Sequence, residues 1–289
     1  MKKDKPDFII IHLLTSLPIL LNNFFTFKTK FILRISGFPK LNLFRKFLWK
    51  KSSKNIFKIT CPSQDLLHYL KNEKIFGINK VFYLQDAILN LQEYIKKKDE
   101  VNLINLKKVQ NYHNYFLAVG RLTKQKNYQY LISEFINYLK IDKNVILLII
   151  GDGEEQKNLQ ELIYKENMSN NIFLLGRINN VYPFMKRSRA LILSSLWEDP
   201  GFVLIEAAFC NLFIISSDCP NGPKEFLSNG DAGYLFQSNK KGELAKKLQK
   251  FNKEEINLNK MRIQAKKNSS KYSLFRHYLT LNKILINEN

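Results

Sequence analysis

Short apolar runs, each closed by a small or acidic residue, punctuate the second half of the chain. Phe116–Val119 ends in Gly120, Val145–Ile150 in Gly151, Ile172–Leu175 in Gly176, Ala190–Leu193 in Ser194-Ser195, and Phe213–Ser217 in Asp218. Runs of this length, bounded by turn residues, predict buried strands. Between the first two, Tyr128–Leu139 has the apolar spacing of an amphipathic helix. Strands alternating with helical segments predict a doubly wound parallel sheet, which binds ligands beyond the carboxyl ends of its strands.

The first hundred residues repeat the pattern less regularly. Phe8–Ile11 reads as a strand with a loop at His12 and a helix after it. Phe31–Ile35 leads into Ser36-Gly37, Thr60-Cys61 closes another strand, and Val81–Leu84 leads toward a linker near residues 89–112. Lys2, Lys3 and Lys5 before the first apolar run imitate a secretion signal or a membrane helix. That run is interrupted by His12, Thr15, Ser16 and Pro18 and is shorter than the about 20 residues a span requires.

The segment with the most chemistry is Glu198-Asp199-Pro200-Gly201-Phe202-Val203-Leu204-Ile205-Glu206. Pro200 suits a first helical turn, and Gly201, Phe202 and Val203 would then present amides without intrahelical partners, an anion-binding arrangement. Glu198 before the helix and Glu206 two turns in would face one ligand, anionic in the middle and hydroxylated at its ends, as a sugar nucleotide is. The spacing alone is equally compatible with a capped helix carrying two solvated glutamates.

Five motifs occur in a particular order: Gly-Arg-Leu-Thr-x-x-Lys-Asn at 120–127, Gly-Asp-Gly at 151–153, Leu-Gly-Arg at 175–177, the glutamate segment at 198–206, and Ser-Asp-Cys-Pro-Asn-Gly-Pro-Lys-Glu at 217–225. In this order the chain resembles the family 4 retaining glycosyltransferases over residues 112–275. The resemblance implies an α/β architecture of GT-B type, two Rossmann-like doubly wound domains facing a cleft. It implies a partial acceptor-side domain over 1–110, a nucleotide-sugar domain over 111–270, and a C-terminal helix over 271–289 packing back toward the first domain. Arg121 and Lys126 match the basic pair on the donor diphosphate, Glu206 the carboxylate on the ribose hydroxyls, and Glu198 the one on the transferred sugar. Gly120 lies in the first loop, Arg177-Ile178 match the loop whose backbone reads the base, and His12 matches a cleft histidine. No metal or other cofactor is implied.

A full acceptor domain of this family starts with further strand–helix units, so the N-terminal one is expected to be incomplete. A shortened reading frame, a split enzyme completed by a second chain, and a degenerate protein each account for this. The resemblance implies transfer of a hexose or N-acetylhexosamine from a nucleotide sugar, uridine-linked, to a lipid-linked or cell-envelope glycan. A non-catalytic donor-binding partner subunit is the alternative.

Charge changes the picture in one place. The chain carries 46 Lys and Arg against 25 Asp and Glu. Between Lys28 and Lys58 ten basic residues occur with no acidic one, interleaved with Phe31, Phe38, Phe44, Phe47 and Trp49. Leu41–Lys51 reads as a basic amphipathic helix that could lie in an anionic membrane interface, and the family resemblance implies a peripheral place at the cytoplasmic face, where similar enzymes build lipid-linked sugars. The same pattern fits a core-packed helix with a solvated basic face, and no nucleic-acid motif accompanies it. Three cysteines without a C-x-x-C pair and four scattered histidines predict neither disulfides nor a metal centre and suit a reducing compartment.

Overall fold

The computed structural model describes residues 6–12, 16–25, 27–100, 114–198 and 200–286. It divides into two compact units, Met1–Ala87 with Phe275–Asn289, and Ile88–Leu274.

The first unit is built on β1 (Phe8–His12), α1 (Ser16–Phe24), β2 (Lys30–Arg34), α2 (Leu43–Ser52), β3 (Lys58–Cys61), α3 (Gln64–Asn72) and β4 (Val81–Tyr83). The four strands pair in parallel in the order β1-β2-β3-β4. Parallel neighbours require crossover connections, and α1, α2 and α3 supply them. Leu33, Ile35, Ile59 and Cys61 pack with Leu48 and Trp49 of α2 and Leu66 and Leu70 of α3 into one core. Asn42 starts α2 by accepting the Arg45 amide at 2.8 Å, and Ser63 starts α3 by accepting that of Leu66 at 3.2 Å. His12 continues β1 instead of opening a loop, paired in register with Arg34.

One sequence expectation is corrected here. Trp49, read as a membrane anchor, is fully buried, its ring 5.6 Å from that of Phe76. An α-helix turns 100° per residue, so positions 48, 49 and 52 share the core face while 43, 44 and 47 fall outside it. Leu43, Phe44 and Phe47 are accordingly 88%, 71% and 68% exposed.

The second unit opens with α4 (Leu91–Lys97), inside the stretch expected to be linker, and continues with β5 (Tyr115–Val119), α5 (Tyr128–Leu139), β6 (Ile146–Ile150), α6 (Gln156–Lys165) and β7 (Ile172–Leu174). It then runs through α7 (Tyr182–Arg187), β8 (Ala190–Leu193), α8 (Phe202–Phe209), β9 (Phe213–Ser217), α9 (Pro223–Phe226), β10 (Tyr234–Phe236), α10 (Glu243–Lys253) and α11 (Glu255–Ser269). α4 is fixed to this unit by aromatic contacts. The Tyr94 ring lies 5.2 Å from Tyr182 and 4.8 Å from Phe209, and Lys186 pairs with Asp99 at 2.7 Å. Residues 101–112 of the expected linker lie outside the described residues.

All six strands of this unit are parallel, in the order β10-β9-β8-β5-β6-β7. Period-two alternation sorts their side chains onto two faces. Phe116, Ala118, Leu147 and Ile149 pack with α5, α6 and α10, whereas Tyr115, Leu117, Leu148 and Ile150 pack with α7 and α8. A strand buried on both faces must read as a continuous apolar run, and these do. The chain's last helix, α12 (Leu274–Ile286), belongs with the first unit. Gln85 donates to Thr280 Oγ1 at 3.4 Å, and the His277 ring nitrogen Nδ1 lies 2.6 Å from the Gln85 carbonyl.

Candidate active site

In the second sheet the chain starts in the middle, at β5, and winds outward first through β6 and β7, then through β8, β9 and β10. β5 and β8 are therefore the neighbours between which the winding reverses, and the loops beyond their carboxyl ends diverge to leave a crevice. The β5 loop carries Gly120, Arg121 and Lys126. The β8 loop carries Glu198 and Gly201.

Backbone bonds lock these loops together. Gly120 N–H donates to the Ile150 carbonyl at 3.0 Å, Leu122 N–H to Asp152 at 2.7 Å, and Gly151 N–H to Gly176 at 2.9 Å. Gly151 permits this approach: a Cβ there would lie 1.9 Å from the Gly120 carbonyl oxygen, at a φ of +150°. On the other side Leu196 N–H donates to the Gln125 carbonyl at 2.8 Å, Gln125 Nε2 to the Trp197 carbonyl at 2.9 Å, and Ser194 Oγ to the Lys126 carbonyl at 2.7 Å.

At the centre, Lys126 Nζ lies 2.5 Å from Glu198 Oε1, with side chains only 14% and 5% exposed. Ser195 Oγ donates to the same oxygen at 2.5 Å, and Ser217 Oγ braces the Ser195 carbonyl at 2.7 Å. Burial and the Glu198 charge push the nearby Tyr128 phenol above its ordinary range. Burial pushes the Cys219 thiol up to about 12, so it packs beside the pair uncharged. Nothing local in the sequence assigns Ser195, Ser217 or Gln125 to this site. The Ser194-Ser195 ending of the β8 run was visible, but the partner of those hydroxyls is set only by folding.

Pro200 lies outside the helix it was expected to begin. Gly201 caps α8 with φ 86°, a left-handed conformation suited to glycine, and the helix starts at Phe202. The first-turn amides of Phe202 and Val203 thus belong to a helix that begins beside Glu198, whose Cγ would lie 3.5 Å from a Gly201 Cβ. Arg121 is exposed, as is Arg177, which follows Gly176 in the loop after β7, and Ile178 packs against the α7–α8 core.

Glu206 occupies a different environment from Glu198. Burial, followed by the Glu93 carboxylate on α4, raises its pKa to about 7. Its charge in turn contributes to the raised pKa values of Tyr182 and Cys210, behind the larger effect of their own burial. The structure therefore gathers Gly120, Arg121, Lys126, Glu198 and Gly201 around the winding reversal, with Glu206 further along α8 under α4. His12 ends β1 in the first unit, exposed. Among the described residues no group of three or more His, Cys, Asp or Glu side chains is placed to hold a metal ion, and the three cysteines are free thiols.

The chain is similar to known proteins in sequence and in fold. Residues 102–269 match the family of Glycosyl transferases group 1, and the chain belongs to it. It is 33% identical over 254 residues to an uncharacterized glycosyltransferase, MJ1059, of Methanocaldococcus jannaschii, covering 78% of this chain and 59% of that protein. It is 31% identical over 123 residues, 43% of this chain and 33% of the relative, to the N-acetylgalactosamine-N,N'-diacetylbacillosaminyl-diphospho-undecaprenol 4-alpha-N-acetylgalactosaminyltransferase of Campylobacter jejuni. The crystal structure of Anabaena Alr3699/HepE in complex with UDP superposes with a TM-score of 0.78 at 15% identity, covering 96% of this chain and 78% of that one. The fold is thus of GT-B type, with two Rossmann-like α/β units. The chain spans less than two thirds of the length of these two sequence relatives.

Proposed function

We propose that the protein is a retaining glycosyltransferase that moves a hexose or N-acetylhexosamine from a UDP-sugar to a lipid-linked or cell-envelope glycan. The observation that carries this reading is the buried Lys126–Glu198 pair at the winding reversal, beside Arg121 and the start of α8. A relative with a diphospho-undecaprenol acceptor and a structural neighbour holding UDP support the acceptor and donor classes.

In the reaction the bond between the sugar C1 and the β-phosphate oxygen breaks, and its electron pair leaves with UDP. The acceptor hydroxyl oxygen bonds to C1 on the same face, and its proton passes to the departing phosphate oxygen. Negative charge grows on the diphosphate as the bond breaks, so fixed cations there stabilise the transition state more than the ground state. Arg121 and Lys126 take that role, with the Phe202 and Val203 amides adding to it. The leaving group then departs without a metal ion. Glu198, an acceptor only when ionised, receives sugar hydroxyls, and Glu206 receives those of the ribose.

The two glutamates separate experimentally. Glu206→Ala should weaken UDP itself by about 1.5–3 kcal/mol, the range for a charged hydrogen bond. Glu198→Ala should leave UDP nearly unaffected and weaken only UDP-N-acetylglucosamine. Equal losses of UDP affinity, read by calorimetry, would refute the division.

The exposed side of α2 gives the acceptor assignment a physical setting. Leu43, Phe44 and Phe47 project from a helix that also carries Arg45, Lys50 and Lys51, and we assign this face to an anionic membrane at the cytoplasmic side. No helix among the described residues is long and apolar enough to cross a membrane. Lys46 is excluded from the set because it pairs with Glu73 at 2.6 Å. The protein should sediment with phosphatidylglycerol vesicles and release as salt rises, since screening shortens to about 8 Å at physiological ionic strength. Changing Leu43, Phe44 and Phe47 to Ser should abolish sedimentation at low salt; retention by that variant would remove α2 as the anchor.

A further inference from the structure

The first unit contains a cavity of about 520 Å³ lined by residues 27–31, 54–58 and 79–80. These segments enter β2, β3 and β4, so the cavity lies at the amino-terminal edge of the parallel sheet. That is the edge opposite His12 and Arg34, which end their strands. It belongs neither to the donor loops of the second unit nor to the outer face of α2.

Its lining is chemically one-sided. Lys28, Lys30, Lys54, Lys58 and Lys80 contribute to it, and no acidic side chain does. At the same edge Asp7, whose backbone carbonyl accepts the Lys30 amide at 2.8 Å, carries an exposed side chain. Three of the lysines are held in place. Lys80 Nζ donates to the carbonyls of Ser53 and Ile56, both at 2.8 Å, and of Lys54 at 3.3 Å. Lys30 and Lys58 both lie over the Phe57 ring: their ammonium groups are 4.6 Å and 5.2 Å from its centroid, with Lys58 also 4.6 Å from that of Phe82. Ring faces stabilise each cation, but they do not remove the repulsion among several. Burial also lowers the pKa of Lys80, the direction expected for a cation withdrawn from water. Lys28 and Lys54 are exposed at the rim, with no ion-pair partner among the described residues.

Gathering like charges around a concave site of ligand size is unfavourable for folding and favourable for capturing an anion. Lysine ammonium groups act as compact point charges toward phosphate oxygens. Phe27, Phe31 and Phe57 provide apolar wall beside them. We infer that this cavity is a second anion site, independent of the donor site, which takes a diphosphate or polyphosphate group. The group has two possible sources, a soluble phosphorylated compound or the headgroup of a phosphorylated lipid, and the chemistry of recognition is shared.

The test is calorimetric titration of the full chain with inorganic pyrophosphate, with the donor loops disabled by Arg121→Ala. Binding is expected to persist in that variant and to weaken at least tenfold when Lys28→Gln and Lys54→Gln are added. These rim positions are exposed, so the substitutions leave the core intact; circular dichroism checks this. Asn79→Asp, which adds a carboxylate to the lining, is expected to weaken binding similarly without removing a lysine. Loss of all pyrophosphate binding with Arg121→Ala alone, or equal binding by the rim variants, would overturn the second site. Phosphatidylcholine vesicles with phosphatidic acid then identify the source. Pyrophosphate-sensitive sedimentation that requires Lys28 and Lys54 assigns a lipid headgroup, and sedimentation independent of both assigns a soluble ligand.

Discussion

Lys126→Ala is expected to lower stability by about 3 kcal/mol and to abolish UDP binding at the donor loops. The stability loss arises because Glu198 is left buried as an uncompensated charge, a change that typically costs about 3–5 kcal/mol. The lower end applies because the Ser195 hydroxyl still donates to the carboxylate at 2.5 Å. The paired variant Lys126→Ala/Glu198→Ala should be more stable than Lys126→Ala alone, since removing both charges removes the stranded one. Urea denaturation of the four proteins in the cycle reads this directly. A coupling energy below about 0.5 kcal/mol would show that the pair is not a buried unit. Functionally, the same contact holds the cation in position until a donor diphosphate takes over the ammonium and sugar hydroxyls take over the carboxylate.

Glu206→Gln is expected to stabilise the protein at pH 8 while weakening UDP. The Glu206 carboxyl titrates near 7 in the folded protein, raised first by burial and then by Glu93. In the unfolded chain a glutamate titrates near 4.3. Between these values the folded state holds more protons than the unfolded one, so stability falls as pH rises from about 4.3 to 7. Above pH 7 the penalty is complete, on the order of 2 kcal/mol after allowance for partial solvent access. Glutamine carries no such charge, so the variant should match wild type near pH 4.5 and exceed it at pH 8. Identical pH profiles of urea stability for the two proteins would contradict the burial argument. A residue kept at a cost to stability and needed by the ligand is a candidate for function over packing.

Much of the second unit was legible because a doubly buried parallel strand must be apolar throughout. β5, β6, β7, β8 and β9 all stand where the apolar runs predicted them, and α5 spans Tyr128–Leu139 as its periodicity indicated. β10 went unread, since Tyr234–Phe236 is three residues long and lies among turn residues. α4 went unread because its seven residues have no buried member, and its place is set by aromatic contacts distant in sequence. In the first unit the helical phase of α2 decided between Phe47 and Trp49, and two positions along a helix were enough to exchange an exposed ring for a buried one.

The candidate site was legible as residue types and less so as contacts. Glycine at 120, 151 and 201 marked backbone approaches that a side chain would block or strain. The pairing of Lys126 with Glu198 joins loops that are far apart along the chain, and nothing local specifies it. The separation of Glu198 from Glu206 has the same origin, because α4 covers only the second.

The most direct measurement is titration of UDP into the full chain with a metal chelator present, repeated with GDP and with Arg121→Ala. Saturable binding of UDP at the winding reversal, weaker binding of GDP there, and at least a tenfold loss of that binding with Arg121→Ala are the predicted results. A folded protein that takes up no UDP, takes it up only with a divalent cation, or prefers GDP would contradict a metal-independent uridine diphosphate site at the winding reversal.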